Sequence, residues 1–436
     1  MTWIKAILLL GIASLIGVLP SSGADNLVII SSHWEGYRFE IETRFKSWYE
    51  TKYNTQVNLD WRDAGGGSES LKFVLSEFKQ EPSGIGIDLF FGGGNEPQLL
   101  LKKEKLLQSY RPPLDIMDQI PPDISGMPIY DPEFYWFGNA LSGFGILSNK
   151  RVIDIKKLPP VNSWEDLAAP ELFTWVGSGD PRGSGSAQKL YEIILQSYGW
   201  EKGWSIITRM AGNVRVFHKN SSTAVKDTSL GDVAYCLAID VYGLYQVSSV
   251  GTDSMAFLYP KGATVINPDA IGIFKGAPNI QTAQRFIDFL LSTEGQSLWV
   301  QPRGKPGGPT KFEIPRMSVR PDLYGAYPPG TGFLNPFTQP VRMHFDDGLA
   351  SRRRHVLQGL LGATLIDPHS DLTKAWNKIR ILPPGQRDTA IEQFAAAPIS
   401  ENELNSLAAD WDNAVKRNKL ILHWQREAMQ KYRRFL

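Results

Sequence analysis

Cysteine occurs once in the 436 residues, at Cys236. One thiol can form neither an intramolecular disulfide nor a cysteine-rich metal cluster. It lies in the apolar run VAYCLAI (233–239), where a free cysteine behaves as a small buried hydrophobe. An excess of one charge sign is missing too: 46 Lys and Arg face 45 Asp and Glu, a formal net charge of +1. Such a balance is a poor match for nucleic acid or an anionic membrane. A nucleotide phosphate loop needs Lys and Ser/Thr after its second glycine, and GSGSAQK (183–189) has neither in place. No glycine-rich turn has dinucleotide spacing with an acidic residue after the next strand. His33, His218, His344, His355, His369 and His423 are scattered without HxH or HxxxH spacing. The G-x-S-x-G elbow of a serine hydrolase is absent. No cofactor and no catalytic residue is therefore expected, and an exported hydrolase remains a rival class only.

What is present starts at the N-terminus. Lys5 precedes an uncharged apolar run from Ala6 to Leu19, then Pro20 and the small residues Ser22, Gly23 and Ala24. This order describes a secretory signal peptide, too short in its apolar run for a membrane anchor. Cleavage is expected after Ala24, giving an exported soluble protein. Lys5 is the one charged residue of this segment, so its removal takes the formal charge from +1 to neutral. A disulfide-free exported protein of this size relies on its core, which suits a bacterial periplasm.

From Asn26 strands and helices alternate. LVII (27–30) reads as a parallel strand covered on both faces. YRFEIETRFKSWYETKY (37–53) reads as a helix with one buried stripe. QVNLDW (56–61) and IDLFF (87–91) are further strands around the helix ESLKFVLSEF (69–78). The resulting βαβαβ unit carries loops at the carboxyl ends of its strands, where open α/β sheets bind ligands. A second α/β set follows the Pro-rich stretch 111–128. It includes a short helix begun by Ser163 and Asp166, a strand near 173–179, two helices (187–198 and about 200–211), and a further helix, strand and helix over 220–250. A return strand leads into QTAQRFIDFLLSTEGQSLW (281–299), read as one amphipathic helix with Phe286, Phe289, Leu290 and Leu298 inward. Beyond about 350 the chain is helical. Ser400 and Glu403 form a capping box before Leu404, Leu407, Trp411 and Val415 on one face. Arg352, Arg353 and Arg354 read as a solvated helix face.

One stretch asks for a ligand. DPRGSGSA (180–187) places Ser184, Gly185 and Ser186 directly before a helix. A helix N-terminus has unpaired N–H groups and partial positive charge, so it attracts anions. The same residues also suit an N-cap alone.

In order along the chain, SSHWEG, IDLFFGGG, GFGILSNKRV with SWEDL downstream, DPRGSGSA, GDVAYCLAIDVYG, YPKGATVINPDAIGIFKGAPN and AQRFIDFLLSTEGQ resemble the extracellular solute-binding proteins of ATP-driven (ABC) importers. The branch is that of ferric-ion, aminoethylphosphonate, hexose-phosphate and thiamine binders. The resemblance implies a two-lobe periplasmic-binding-protein-like α/β fold of type 2 with a helical C-terminal extension. After the signal peptide (1–24), lobe 1 would comprise 25–145 and 263–310 and lobe 2 residues 146–262, with 311–436 packing mainly on lobe 2. It implies a small-molecule ligand enclosed between the lobes and a membrane permease as partner, for a periplasmic monomer. Ser184, Gly185 and Ser186 would then cradle a phosphate, phosphonate or carboxylate. His33 and Trp34, with Gly92, Gly93 and Gly94, would form the opposite wall. Asp240 would accept hydrogen bonds from solute hydroxyls or an amine, unless it only caps the following helix, with Tyr242 stacking or donating; the two fall where ferric binders carry adjacent tyrosines, but Val241 replaces the first of that pair. Losing a phenolate weakens a ferric site, so ferric-ion binding is the alternative and an anionic organic solute the leading expectation.

Overall fold

The computed structural model describes residues 23–325, 333–338 and 343–436. The expected signal segment lies outside the described residues as far as Ser22. Asp25–Ser31 pairs in parallel with Val57–Arg62 on one side and Leu89–Phe91 on the other. Side chains alternate across these strands. Leu27, Ile29, Leu89 and Phe91 face the helix Glu35–Tyr53 through Tyr37, Ile41 and Phe45. Ile30 and Phe90 face the helix Gly67–Gln80 through Val74 and Phe78. Both faces are covered, as the short continuous apolar runs require.

The 13-residue strand Phe137–Asn149 joins the two lobes. Residues 137–143 pair antiparallel with Ile266–Phe274. From Phe144 onward the same strand pairs with Tyr235–Ile239, and its end also pairs with Met255–Leu258. The neighbour changes at Gly143, where a Cβ would stand 2.6 Å from the Tyr259 ring. Only glycine fits that approach. Across the sheet the order is 57–62, 25–31, 89–91, 266–274, 137–149, 235–239, 176–179, 214–218. Cys236 is fully buried, and burial pushes its thiol up to about 12.

Two helical expectations are corrected. The segment 281–299 forms two helices, Ile280–Leu291 and Thr293–Val300, because Ser292 ends the first and caps the second through Gly295 N (3.2 Å). Phe286, Phe289, Leu290 and Leu298 are nevertheless all buried. The capping box at Ser400 and Glu403 is complete, but its helix stops at Leu407. A new helix, Ala414–Arg433, starts from the Asn413 cap and leaves Val415 exposed.

The C-terminal helices pack on the second half of the sheet's helical cover. Trp376, on His369–Ile379, donates from Nε1 to Asn213 Oδ1 (2.7 Å), at the end of the helix Trp200–Asn213. The three arginines on Asp347–Leu361 are not one solvated face. Arg353 is 1 % exposed and grips Glu192 with Nε (3.1 Å to either oxygen) and Nη2 (2.6 Å), while Nη1 meets Glu401. Consecutive helical residues point about 100° apart, and here the middle arginine of the three is the one directed inward. Among the described residues no helix is long and apolar enough to cross a membrane.

Candidate functional site

Strand ends feed straight into helix starts on both sides of the cleft. In lobe 1 the helices begin at Glu35, Gly67 and Glu96; in lobe 2 they begin at Gly185, Ser221 and Asp240. Their N-termini give the cleft unpaired N–H groups and partial positive charge without requiring lysine. The walls meet directly. A Cβ at Gly66 would lie 3.7 Å from Gly183 O across the cleft, and Lys189 Nζ donates to Glu96 Oε1 at 2.9 Å. Burial works against charge on Lys189, but Glu96 and Asp347 (2.8 Å) together raise its ammonium above the usual range. The cavity left at this seam, lined by Gly185, Gln188 and Arg354 among others, is about 10 Å³, room for one water. A shallow groove of about 430 Å³ lined by Met117–Pro122 with Pro321 and Asp322 contains none of these strand-end residues.

Three serine hydroxyls meet where two of the lobe 2 helices begin. Ser184 Oγ lies 2.7 Å from Ser221 Oγ and 3.1 Å from Ser186 Oγ, and Ser186 Oγ is 3.2 Å from Ser221 Oγ. Ser184 also caps its helix by accepting from Ala187 N (3.3 Å). The cap and the hydroxyl cluster are thus one arrangement. Ser184 is buried, Ser186 half-buried and Gly185 exposed, so the loop presents its last two residues outward. Ser221 escaped the sequence reading; its signal was the polar KNSS directly after the strand VRVFH.

At the base of the cleft lies a buried polar network. His33 uses both ring nitrogens, Nδ1 with Ser31 Oγ (2.8 Å) and Nε2 with Asp269 Oδ2 (2.7 Å), and stacks on Tyr37. Arg316 donates from Nη1 to Asp269 Oδ2 (2.6 Å) and to the Tyr37 hydroxyl (3.0 Å), and from Nη2 to Ser142 Oγ (2.7 Å). Burial would raise the Asp269 carboxyl, but Arg316 and His33 hold it well below the usual range. Gly92, Gly93 and Gly94 all have positive φ (102°, 82°, 82°), and a Cβ on Gly92 would come within 2.7 Å of the His33 ring. The triple glycine turns the chain sharply enough to bring that ring against the strand end. Trp34 reaches across to Tyr245 of lobe 2 (ring centroids 5.3 Å) and packs edge-on to Phe312.

Asp240 sits deeper than a surface ligand group. It is fully buried, and its Oδ2 accepts from Gly143 N (2.6 Å) and the Tyr259 hydroxyl (3.1 Å), bracing the strand where it changes lobes. Burial pushes this carboxyl up to about 7, against the pull of Gly143 N–H, Arg316 and Tyr259. Its Oδ1 has no partner, nor has Arg316 Nε. Tyr242 packs with Tyr259 against the lobe 2 core cluster. Among the described residues no three His, Cys, Asp or Glu side chains are grouped to hold a metal ion. Arg316 and Asp269 went unnoticed in the sequence: EIPRMS has no periodic signal, and Asp269 is hidden inside an apolar strand.

Comparison with known proteins gives this geometry a context. The chain is 25 % identical over 289 residues to the phosphoglycerate transport regulatory protein PgtC of Salmonella typhimurium, covering 66 % of this chain and 69 % of that protein. Its fold is similar to the periplasmic binding protein AfuA from Actinobacillus pleuropneumoniae, solved with fructose-6-phosphate bound (TM-score 0.59, 20 % identity, 80 % of this chain and 97 % of that one). It is also similar to the ferric binding protein from Campylobacter jejuni (TM-score 0.56, 19 % identity, 80 % and 99 %). Identities this low speak to the fold alone, which is that of two-lobe periplasmic binding proteins. Residues 86–315, more than half of the sequence, match the bacterial extracellular solute-binding proteins, and the chain belongs to that family.

Proposed function

We propose that the chain captures one small anionic organic solute between its lobes and delivers it to the membrane permease of an ABC importer. It would do so as a periplasmic monomer, after removal of residues 1–24, and without catalysing a reaction. The observation that carries this reading is the Ser184, Ser186 and Ser221 cluster at two helix N-termini, opposite the Gly65–Gly67 turn of lobe 1. An oxyanion arriving there exchanges hydroxyl-to-hydroxyl contacts for charge-assisted ones, which are about twice as strong. Ser184, Gly185 and Ser186 hold the anionic group. His33, Trp34 and Gly92–Gly94 close the opposite wall and Tyr242 meets the organic part, while the buried Asp240 braces the strand beneath it. The relatives named for phosphoglycerate and fructose-6-phosphate support a phosphorylated solute.

Release and capture require the lobes to part, and Gly143, where one strand passes between them, is the natural pivot. The proposed division is 25–145 with 263–310, against 146–262. Thermal melts of the mature protein with 3-phosphoglycerate, fructose 6-phosphate, 2-aminoethylphosphonate, citrate and ferric citrate test the reading. One organic anion should raise the melting temperature by a few degrees at saturating concentration. A shift with ferric citrate alone, with a visible phenolate-to-iron colour lost in Tyr242→Phe, would replace it with the iron reading.

A further inference from the structure

We infer that a charge latch holds the empty cleft shut, in which Glu96 of lobe 1 is gripped by Lys189 of lobe 2 and by Arg354 of the C-terminal extension. The latch is autoinhibitory, because solute enters only after it parts. The inference rests on the capture reading above only in taking this cleft as the solute's place. Glu96 opens the lobe 1 helix Glu96–Lys103, just after the glycine turn. Lys189 Nζ lies 2.9 Å from its Oε1, and Arg354 Nη1 lies 3.5 Å from its Oε2. Arg354 Nη2 also donates to Ser68 Oγ (3.3 Å), in the first turn of the lobe 1 helix Gly67–Gln80. Asp347 holds Lys189 from the extension side (2.8 Å), so lobe 1, lobe 2 and the extension share one cluster. Asp347 and Arg354 lie on the helix Asp347–Leu361, beyond the stretch that matches the family.

Charge is balanced within the cluster and divided across the cleft. Lobe 1 contributes acids, Glu96 and, in the first turn of Gly67–Gln80, Glu69. The facing side contributes both cations, with Asp347 sharing Lys189. Glu192 lines the same seam but is taken up by Arg353. Burial works against charge on Glu96, yet Lys189 and Arg354 hold its carboxyl below the usual range. Both cations reach Glu96 only while the lobes touch. The space left at the seam then admits one water, and a Cβ at Gly66 would lie 3.7 Å from Gly183 O. A solute larger than water has no room there. Latched and filled states are therefore alternatives, and a solute's apparent affinity falls in proportion to the fraction of molecules left unlatched.

Single-molecule energy transfer between dyes at Lys79→Cys on lobe 1 and Lys226→Cys on lobe 2 tests the latch without any solute. Both positions are exposed, and the buried Cys236 stays unlabelled. The mature full-length protein is dialysed until native mass spectrometry shows no adduct. Wild type should then occupy mainly the closed, high-transfer state. Glu96→Gln should lower the closed-to-open ratio roughly tenfold, because both cations lose their lobe 1 carboxylate. Arg354→Gln should lower it less, and should add little in the Glu96→Gln background, since the two residues act through one contact. Either substitution leaves Lys189 paired with Asp347, so both variants should melt near wild type. A wild type already open without solute overturns the latch, and so does an unchanged ratio in Glu96→Gln. Neither result touches the capture reading, since no solute enters the measurement.

Discussion

Ser184 and Ser186 sit two residues apart and are expected to fail differently. Ser184 caps its helix and contacts both neighbouring hydroxyls, whereas Ser186 makes only the hydroxyl contacts. Ser184→Ala should lower stability by about 1 kcal/mol as well as affinity. Ser186→Ala should lower affinity roughly tenfold while the ligand-free melting temperature stays close to wild type. Calorimetry and melts of the two single variants separate the roles. Asp240 offers a pH test. Its folded carboxyl titrates at about 7 against 3.8 unfolded, so the folded state holds the extra proton between those values. The stabilisation from that proton is complete below about pH 4 and is lost as pH rises through 7, a total on the order of 4 kcal/mol. Urea titrations of wild type should show stability falling between pH 4 and 7, and Asp240→Asn, which cannot ionise, should flatten that fall. A difference curve without slope there contradicts the buried-acid account. At this scale the sequence was legible for position, since His33 and Gly92–Gly94 follow strand ends and meet there. It was silent on Arg316 and Asp269, because a pairing between positions 47 residues apart leaves no local pattern.

Helices were legible by their apolar spacing, and their ends less so. Ser292 carries no mark distinguishing a mid-helix serine from a cap, yet its side chain splits 280–300 into two helices. The extension was misjudged for a related reason. Three successive arginines suggest a solvated face, but Arg353 is the pin that holds the helix Asp347–Leu361 to lobe 2. Its fork to Glu192 is almost fully buried on both sides. Arg353→Leu leaves the Glu192 carboxylate buried without its cation, which should cost about 3–5 kcal/mol. Chemical denaturation should show a correspondingly lower midpoint. Replacing both partners together, as Arg353→Met with Glu192→Leu, should recover much of that loss. If the single variant unfolds like wild type, the extension is anchored by its apolar packing around Trp376 and Tyr432 instead.

For the whole molecule, the alternation of strand and helix was enough to read an α/β chain, and the order of segments enough to resemble a solute-binding protein. What the spacing could not give is the closure of the cleft. Glu96, Lys189, Asp347 and Arg354 come from lobe 1, lobe 2 and the extension, and meet only when all three are assembled. The central claim is that the cleft between the lobes holds one small organic anion at the serine cluster. Native mass spectrometry of protein released gently from the host periplasm tests it most directly. The account predicts a chain beginning at Asp25 with a single adduct whose mass and fragmentation identify an organic phosphate or phosphonate. An adduct of iron alone, or of a neutral solute, would contradict it.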